Sequence, residues 1–362
     1  MTSRVTLIIP TMNRQKLLFR LLTYLTRVGF SGDILIADST PRDGFEAISE
    51  RIAEFEGCLS IKHFHLPDLA FASAIRAVSK YVSTPYAAVI PDDDFLIPSG
   101  LKKCAEFLDH NNGFVAVHGL GVVIGSEDED SEEIKSAGSY PLPVLLDEQA
   151  SDRVINLLSD YSVTLFSLHR SDIWMKGFDA TPSAKEQPLC CDRALSDEML
   201  NSVLTAAYGR VAQIDCLYLI RQDHNARNFL LTWYQWLTSE KWQPSCIWFR
   251  DKVAAAICEV DGTSMQRAQE SVDSGLARYL QKTMGLVKSK GLQTKILEKF
   301  KGCMPNVGLA VLRRLRPRFV SEYISLEGLL DPASPYHLDF MQVYNLVTEN
   351  NCKSKARLRD GL

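Results

Sequence analysis

Four short apolar runs alternate with segments of helical periodicity between residues 5 and 90, and this alternation restricts the possible folds more than any other feature. The runs at 5–9, 34–37, 59–64 and 86–90 have the length and the flanking polar turns of buried strands. Between the first two, Leu17, Leu18, Leu21, Leu22 and Leu25 recur at helical spacing, which predicts an amphipathic helix over 15–27. Residues 45–56 and 70–82 read as two further helices. The fold class expected is α/β, a Rossmann-like, mostly parallel sheet with flanking helices. In such sheets ligands gather beyond the carboxyl ends of the strands, so the residues that close each run are the ones to read.

Further along, residues 101–109 read as a helix that Pro98-Ser99-Gly100 opens, 115–124 as strand material, 153–159 as a helix and 163–168 as another strand. A helix over 196–208 has Gly209 as its C-cap, and 212–220 is the last strand-like run. Beyond about Asn225 the pattern changes to helices rich in aromatic residues (Trp233, Trp236, Trp242, Trp248), without strand signals. A boundary is therefore expected there, with residues 1–225 carrying the site and 226–362 forming a helical C-terminal region for acceptor, membrane-surface or oligomer contacts. The tryptophans read as helix core or as a stacking platform.

Acids close two of the strand-like runs. Asp38 ends the second, where it suits hydrogen bonding to a ligand or an Asx-turn. The fourth ends in Ile90-Pro91-Asp92-Asp93-Asp94-Phe95. Three adjacent carboxylates raise one another's pKa unless donors or a cation offset them, and a hard divalent metal bound through oxygen is one remedy. The other reading is an acidic turn ahead of the next helix. A third acidic pair, Asp197-Glu198, opens a later helix, where the helix dipole alone would favour it. His118 sits in strand-like sequence and reads as core or pocket lining.

The formal net charge of -4 is unevenly spread. Six acids crowd residues 127–133 and read as a solvated loop, whereas ten bases face one acid between Gln281 and Arg318. Within that basic stretch, Leu309-Ala310-Val311-Leu312-Arg313-Arg314-Leu315-Arg316 has the makeup of a helix lying on an anionic membrane or meeting a second subunit. Nucleic acid is not expected as a partner, because no recognised module accompanies the bases. The nine cysteines lack metal-ligand spacing, so they read as reduced, packed thiols. The first residues carry no leader pattern and no apolar run reaches eighteen residues, so a cytoplasmic protein is expected, with room for peripheral contact at the membrane's inner face.

Taken together, Leu7-Ile8-Ile9-Pro10-Thr11-Met12-Asn13-Arg14, Ile34-Leu35-Ile36-Ala37-Asp38-Ser39, Ile90-Pro91-Asp92-Asp93-Asp94-Phe95 and Ser196-Asp197-Glu198-Met199-Leu200 resemble, in order and spacing, the motifs of a GT-A glycosyltransferase of the family-2 kind. The resemblance spans roughly residues 4–225. It implies a metal-dependent enzyme that moves a sugar from a nucleotide-diphosphate donor, UDP-linked in the first expectation, to a hydroxyl of a glycan, lipid-linked or protein acceptor. Residues 1–225 then form the nucleotide-sugar-binding and catalytic domain. Pro10, Thr11, Arg14, Asp38, Asp92, Asp93 and Arg221 are implied at the donor, with Arg14 either on phosphate or on the helix surface.

Mn²⁺ or Mg²⁺ is implied at the DxD element, with Asp92 and Asp94 as ligands. Asp93 with Asp94 fits the family pattern equally well, and His224, after the last strand, is an added candidate ligand. The general base of an inverting transfer is implied at Asp197 or Glu198, and this chain has the order Asp-Glu where the family usually has Glu-Asp. A retaining transferase and a non-catalytic sugar-nucleotide or protein-binding module are the alternatives on the same scaffold. A nucleotidyltransferase fits less well, because Pro10-Thr11-Met12-Asn13-Arg14 is not a Gly-rich phosphate loop.

Overall fold

The computed structural model of the chain describes residues 2–125, 133–180, 198–223, 233–289 and 323–348. Asp197, His224, most of the acidic run at 127–133 and the apolar-basic stretch at 309–316 lie outside them, as does the side chain of Trp233.

The first half follows the expected alternation. Strand β1 (Val5–Thr11) is buried along nearly its whole length, and helix α1 (Gln15–Arg27) covers it with Leu17, Leu18, Leu21, Leu22 and Leu25 turned inward. Strand β2 (Asp33–Asp38), helix α2 (Arg42–Ala53), strand β3 (Ser60–His65) and helix α3 (Phe71–Ser79) follow. Strand β4 (Tyr86–Val89) is buried at every position and runs into the acids. After a two-residue strand β5 (Phe95–Leu96) comes helix α4 (Pro98–His110), with proline in its first turn, where a missing N–H costs nothing.

The long strand β6 (Phe114–Gly125) is one element where the sequence suggested two neighbouring runs. It is followed by strand β7 (Ser136–Tyr140), helix α5 (Ala150–Ser159), strand β8 (Leu168–Arg170), helix α6 (Ser171–Asp179), helix α7 (Leu200–Tyr208) and strand β9 (Arg210–Asp223).

These nine strands form one sheet in the order β3-β2-β1-β4-β8-β6-β9-β5, with β7 added to β6. Pairs β1/β2, β1/β4, β2/β3 and β6/β9 are parallel. Pairs β4/β8, β6/β8, β6/β7 and β5/β9 are antiparallel. From β1 the chain proceeds to β2 and β3 on one side and to β4 on the other. This reversal of strand order opens a crevice at the carboxyl ends of β1 and β4, where side chains from both can meet a ligand.

The strand expected over 163–168 is not formed; only Leu168 joins the sheet, as the first residue of β8. Val163, Leu165 and Phe166 are buried as an apolar run should be, but the backbone turns through a Ser167 N–H to Thr164 O bond of 2.8 Å. Thr164 bonds Ser202 on α7 by its N–H and its hydroxyl, so the segment's polar groups go to a helix and not to a neighbouring strand. Gly209 does end α7, but with extended backbone at φ 176. A side chain there would put its Cβ 2.3 Å from Val115 Cγ1, so close packing of α7 against β6 is what requires glycine.

Helix α8 (Trp233–Thr238), helix α9 (Gln243–Asp261) and helix α10 (Met265–Ser289) belong to a second core with α5 and α7, built on Val154, Leu157, Leu200, Val203, Phe249, Val253 and Val272. Trp236 is buried in that core, edge-on to Phe249. Helix α11 (Leu326–Leu330) and helix α12 (His337–Thr348) return to the first core, where Leu329, Phe340 and Val343 are wholly buried. Two hydrogen bonds fix that return, Tyr336 Oη to Asp215 at 2.6 Å and Ser99 Oγ to Asp339 at 2.7 Å. Among the described residues no helix is long and apolar enough to cross a membrane.

Candidate active site

Strand register brings the candidate residues together. Thr11 pairs with Asp38 across β1/β2, and Asp38 with His65 across β2/β3, so three strand ends form one row. Pro10 and Thr11 are the last residues of β1, so the loop starts two positions later than the sequence suggested. Asn13 follows with left-handed backbone at φ 57, and its N–H is received by Thr40 Oγ1 at 3.0 Å. That turn sends Arg14 back across the ends of β1 and β4.

Arg14 forks over two acids. Its Nη1 donates to Asp92 Oδ1 and its Nη2 to Asp93 Oδ2, each at 2.9 Å. It is therefore turned onto the acids of the crevice and away from the helix surface, one of the two positions the sequence left open for it. Asp92 also accepts from Thr11 Oγ1 at 2.7 Å. Asp94 accepts from Arg221 Nε at 2.7 Å and from the Gln222 N–H at 3.1 Å, both on β9.

Arg221 is held in turn by Tyr140 Oη at 2.9 Å and lies over the rings of Tyr140 and Phe166. Arg20 on α1 closes the back of the cluster by donating to Gln222 Oε1 at 2.6 Å. Asp92 and Asp93 thus share Arg14 while Asp94 turns to Arg221, although the three are adjacent in the chain.

Burial sets their electrostatics. Asp92 is 2% exposed and Asp94 0%. Loss of water is the largest influence on Asp92 and pushes its carboxyl up to about 7, against the pull of Arg14 and with the added push of Asp93 and Asp94. Asp94 rises for the same first reason, to about 6, against Arg221. Mutual repulsion, the cause the sequence suggested, comes second to desolvation. For Arg221, burial works against the charge, but Asp94 and Tyr140 outweigh it and hold the guanidinium charged.

Asp38 is fully buried, and its Oδ1 accepts from the Thr40 N–H at 2.8 Å, an Asx-turn bond. Its Oδ2 accepts from His63 Nε2 at 3.0 Å. Burial is the largest single influence on this carboxyl and raises its pKa, yet the bonds from His63 and Thr40 together bring it below the ordinary value. His65 donates to the Thr40 carbonyl at 3.0 Å and stacks on Phe45 of α2, with ring centroids 3.9 Å apart. Sequence reading missed this histidine pair. The signal was present, since His63 and His65 are two apart on a strand and therefore share a face.

Glu198 feels the charge of Arg221, and Tyr161 Oη approaches its Oε1 at 3.4 Å. Burial raises its carboxyl, with Arg221 and Tyr161 opposing. His118 is removed from the site: it is wholly buried, with its ring nitrogens against the carbonyls of Gly119 and Pro143, and burial lowers its pKa.

Among the described residues no three His, Cys, Asp or Glu groups converge as a closed metal cage. The donor set nevertheless fits a hard divalent cation of the kind that takes one or two carboxylates and completes its shell with substrate phosphate and water. Asp92 and Asp94, raised by burial, and Asp93, the most exposed of the three, supply the carboxylate oxygens.

Solved structures with a similar chain course include S. aureus TarS 1-349 in complex with UDP-GlcNAc, at 16% identity over 82% of this chain and 77% of that one, with a TM-score of 0.48. Mannosyltransferase PcManGT from Pyrobaculum calidifontis, in complex with GDP-Man and Mn²⁺, shares 11% identity over 96% and 86% of the two chains, with a TM-score of 0.39. A search of curated proteins gives no match. The sequence profile of glycosyl transferase family 2 matches residues 6–172, the part that carries β1 to β8 with Thr11, Arg14, Asp38 and the three consecutive acids. That match places a glycosyl transferase family 2 domain at residues 6–172, on this sheet and crevice.

Proposed function

We propose that this enzyme transfers a sugar from a nucleotide-diphosphate donor, UDP-linked as the first to test, to an acceptor hydroxyl with inversion at the anomeric carbon, in the making of a glycan or glycoconjugate. The observation that carries this reading is the convergence of Thr11, Arg14, Asp38, Asp92, Asp93, Asp94 and Arg221 at one crevice, with Glu198 within the electrostatic reach of Arg221. Asp38 and its partners His63 and Thr40 form the wall for the nucleoside. Arg14 and Arg221 supply positive charge where the diphosphate departs.

Asp92, Asp93 and Asp94 are the oxygen donors for Mn²⁺ or Mg²⁺, with His224 a further candidate ligand. When bound, such an ion would neutralise charge on the leaving nucleoside diphosphate.

Glu198 or its neighbour Asp197 removes the acceptor proton. The acceptor oxygen bonds to the anomeric carbon as the bond from that carbon to the diphosphate oxygen breaks, and the proton stays on the carboxylate. Burial of Glu198 favours this role, because a carboxylate raised toward neutrality is a stronger base. Glu198→Gln and Asp197→Asn are the test, read by nucleotide affinity, turnover and the anomeric configuration of the product by NMR. One of the two should keep donor affinity and lose ~10²–10⁴ in turnover, as expected for loss of a general base. Near-normal turnover in both, or a product of retained configuration, would end the inverting proposal.

A further inference from the structure

Arg14 stands where a cation approaching Asp92 and Asp93 would have to come. Asp92 is sealed beneath it at 2% exposure, whereas the arginine side chain is 28% exposed and faces solvent. One guanidinium satisfies an oxygen on each acid at 2.9 Å, and a divalent ion can take those two oxygens only by displacing it. The left-handed turn at Asn13 and its bond to Thr40 fix the direction from which Arg14 reaches over.

We propose that Arg14 is a built-in counter-ion that keeps divalent metal out of the donor-free site, so that the metal enters only when a nucleoside diphosphate draws Arg14 away from Asp92 and Asp93. This rests on the donor reading given above and deepens it by assigning an order of binding. A diphosphate offers the guanidinium a competing pair of anionic oxygens, and the released carboxylate oxygens then become available to the ion. Affinities of metal and nucleotide are thereby coupled, and the coupling is reciprocal.

The test is Mn²⁺ binding to the full-length chain at pH 8, followed by the EPR signal of free Mn²⁺, with and without UDP and, in a parallel series, GDP. Wild-type protein should bind Mn²⁺ at least tenfold more tightly with one of the nucleotides than without. Arg14→Gln should bind Mn²⁺ alone at least tenfold more tightly than wild type, while Arg14→Lys, which keeps the charge, should stay near wild type. Circular dichroism establishes that each variant is folded, and the wild-type comparison needs no variant.

Equal Mn²⁺ affinity in wild type with and without a nucleotide that does bind would overturn the inference, as would no tightening in a folded Arg14→Gln. Failure of the donor reading looks different: neither nucleotide binds, with or without Mn²⁺. In that event the Arg14→Gln comparison alone still decides whether Arg14 excludes the ion.

Discussion

Arg221→Met separates the charge of Arg221 from its bulk, because methionine keeps much of the contact with the Tyr140 and Phe166 rings while leaving Asp94 with the Gln222 N–H alone. At pH 8 the fully buried carboxyl must then remain charged without its partner or take up a proton. Protonating a carboxyl of ordinary pKa near ~3.9 at pH 8 costs ~1.4 kcal/mol per pH unit, or ~5.6 kcal/mol, which sets a ceiling. Native Asp94, at about 6, already bears about 3 kcal/mol of that cost at pH 8. The substitution should therefore remove up to ~3 kcal/mol of stability at pH 8 through this carboxyl.

The sign follows from linkage. A carboxyl raised in the folded state contributes most favourably below its unfolded pKa, and that contribution is lost as pH rises through the folded value. In the variant the loss continues to higher pH, whereas at pH 5 the acid is largely protonated in both proteins and the difference from this source vanishes. Urea unfolding of the two proteins at pH 5, 6.5 and 8 reads the effect as a stability gap that widens with pH. Lost ring contacts add only a constant offset. A gap of the same size at pH 5 and pH 8 would refute the assignment of Arg221 as the partner that keeps Asp94 ionised.

Two further predictions concern the frame of the site. Arg153 is 2% exposed and donates to four carbonyls, those of Ala206, Ala207, Asp147 and Glu148, so it caps the end of α7. Arg153→Met leaves those carbonyls without their donor and should cost ~2–4 kcal/mol in urea unfolding, given ~1–3 kcal/mol for each buried group left unsatisfied and partial rescue by water. Tyr336→Phe removes the bond to Asp215 that pins the returning C-terminal segment; it should cost ~1–2 kcal/mol and speed amide exchange in α12 while sparing that of β1 and β2.

Much of the frame was legible in order along the chain. The leucines of α1 are spaced for one buried face, and the helix occupies the span that periodicity assigns it. The β1, β2 and β4 runs are continuous apolar segments because their strands are buried on both faces, so each strand end, and the acid near it, could be located before any contact was known. The 163–168 run shows the limit: apolar character reports burial, while strand pairing depends on which backbone lies alongside, and here that neighbour is α7. Strand β7 escaped notice for the opposite reason. Its residues, none of them buried, lack a strong apolar pattern, yet it delivers Tyr140 to Arg221.

By itself, then, the sequence determined the α/β class and placed Asp38 and the three consecutive acids at strand ends, with Thr11 in the loop after the first strand, because periodicity and apolar run length are local properties of the chain. Which acid meets which base was decided only by the tertiary structure. Asp92 with Arg14, Asp94 with Arg221 and Asp38 with His63 are pairs separated by 78, 127 and 25 residues. Such pairings depend on strand order, register and the depth of burial, and those become physical quantities only when the sheet closes.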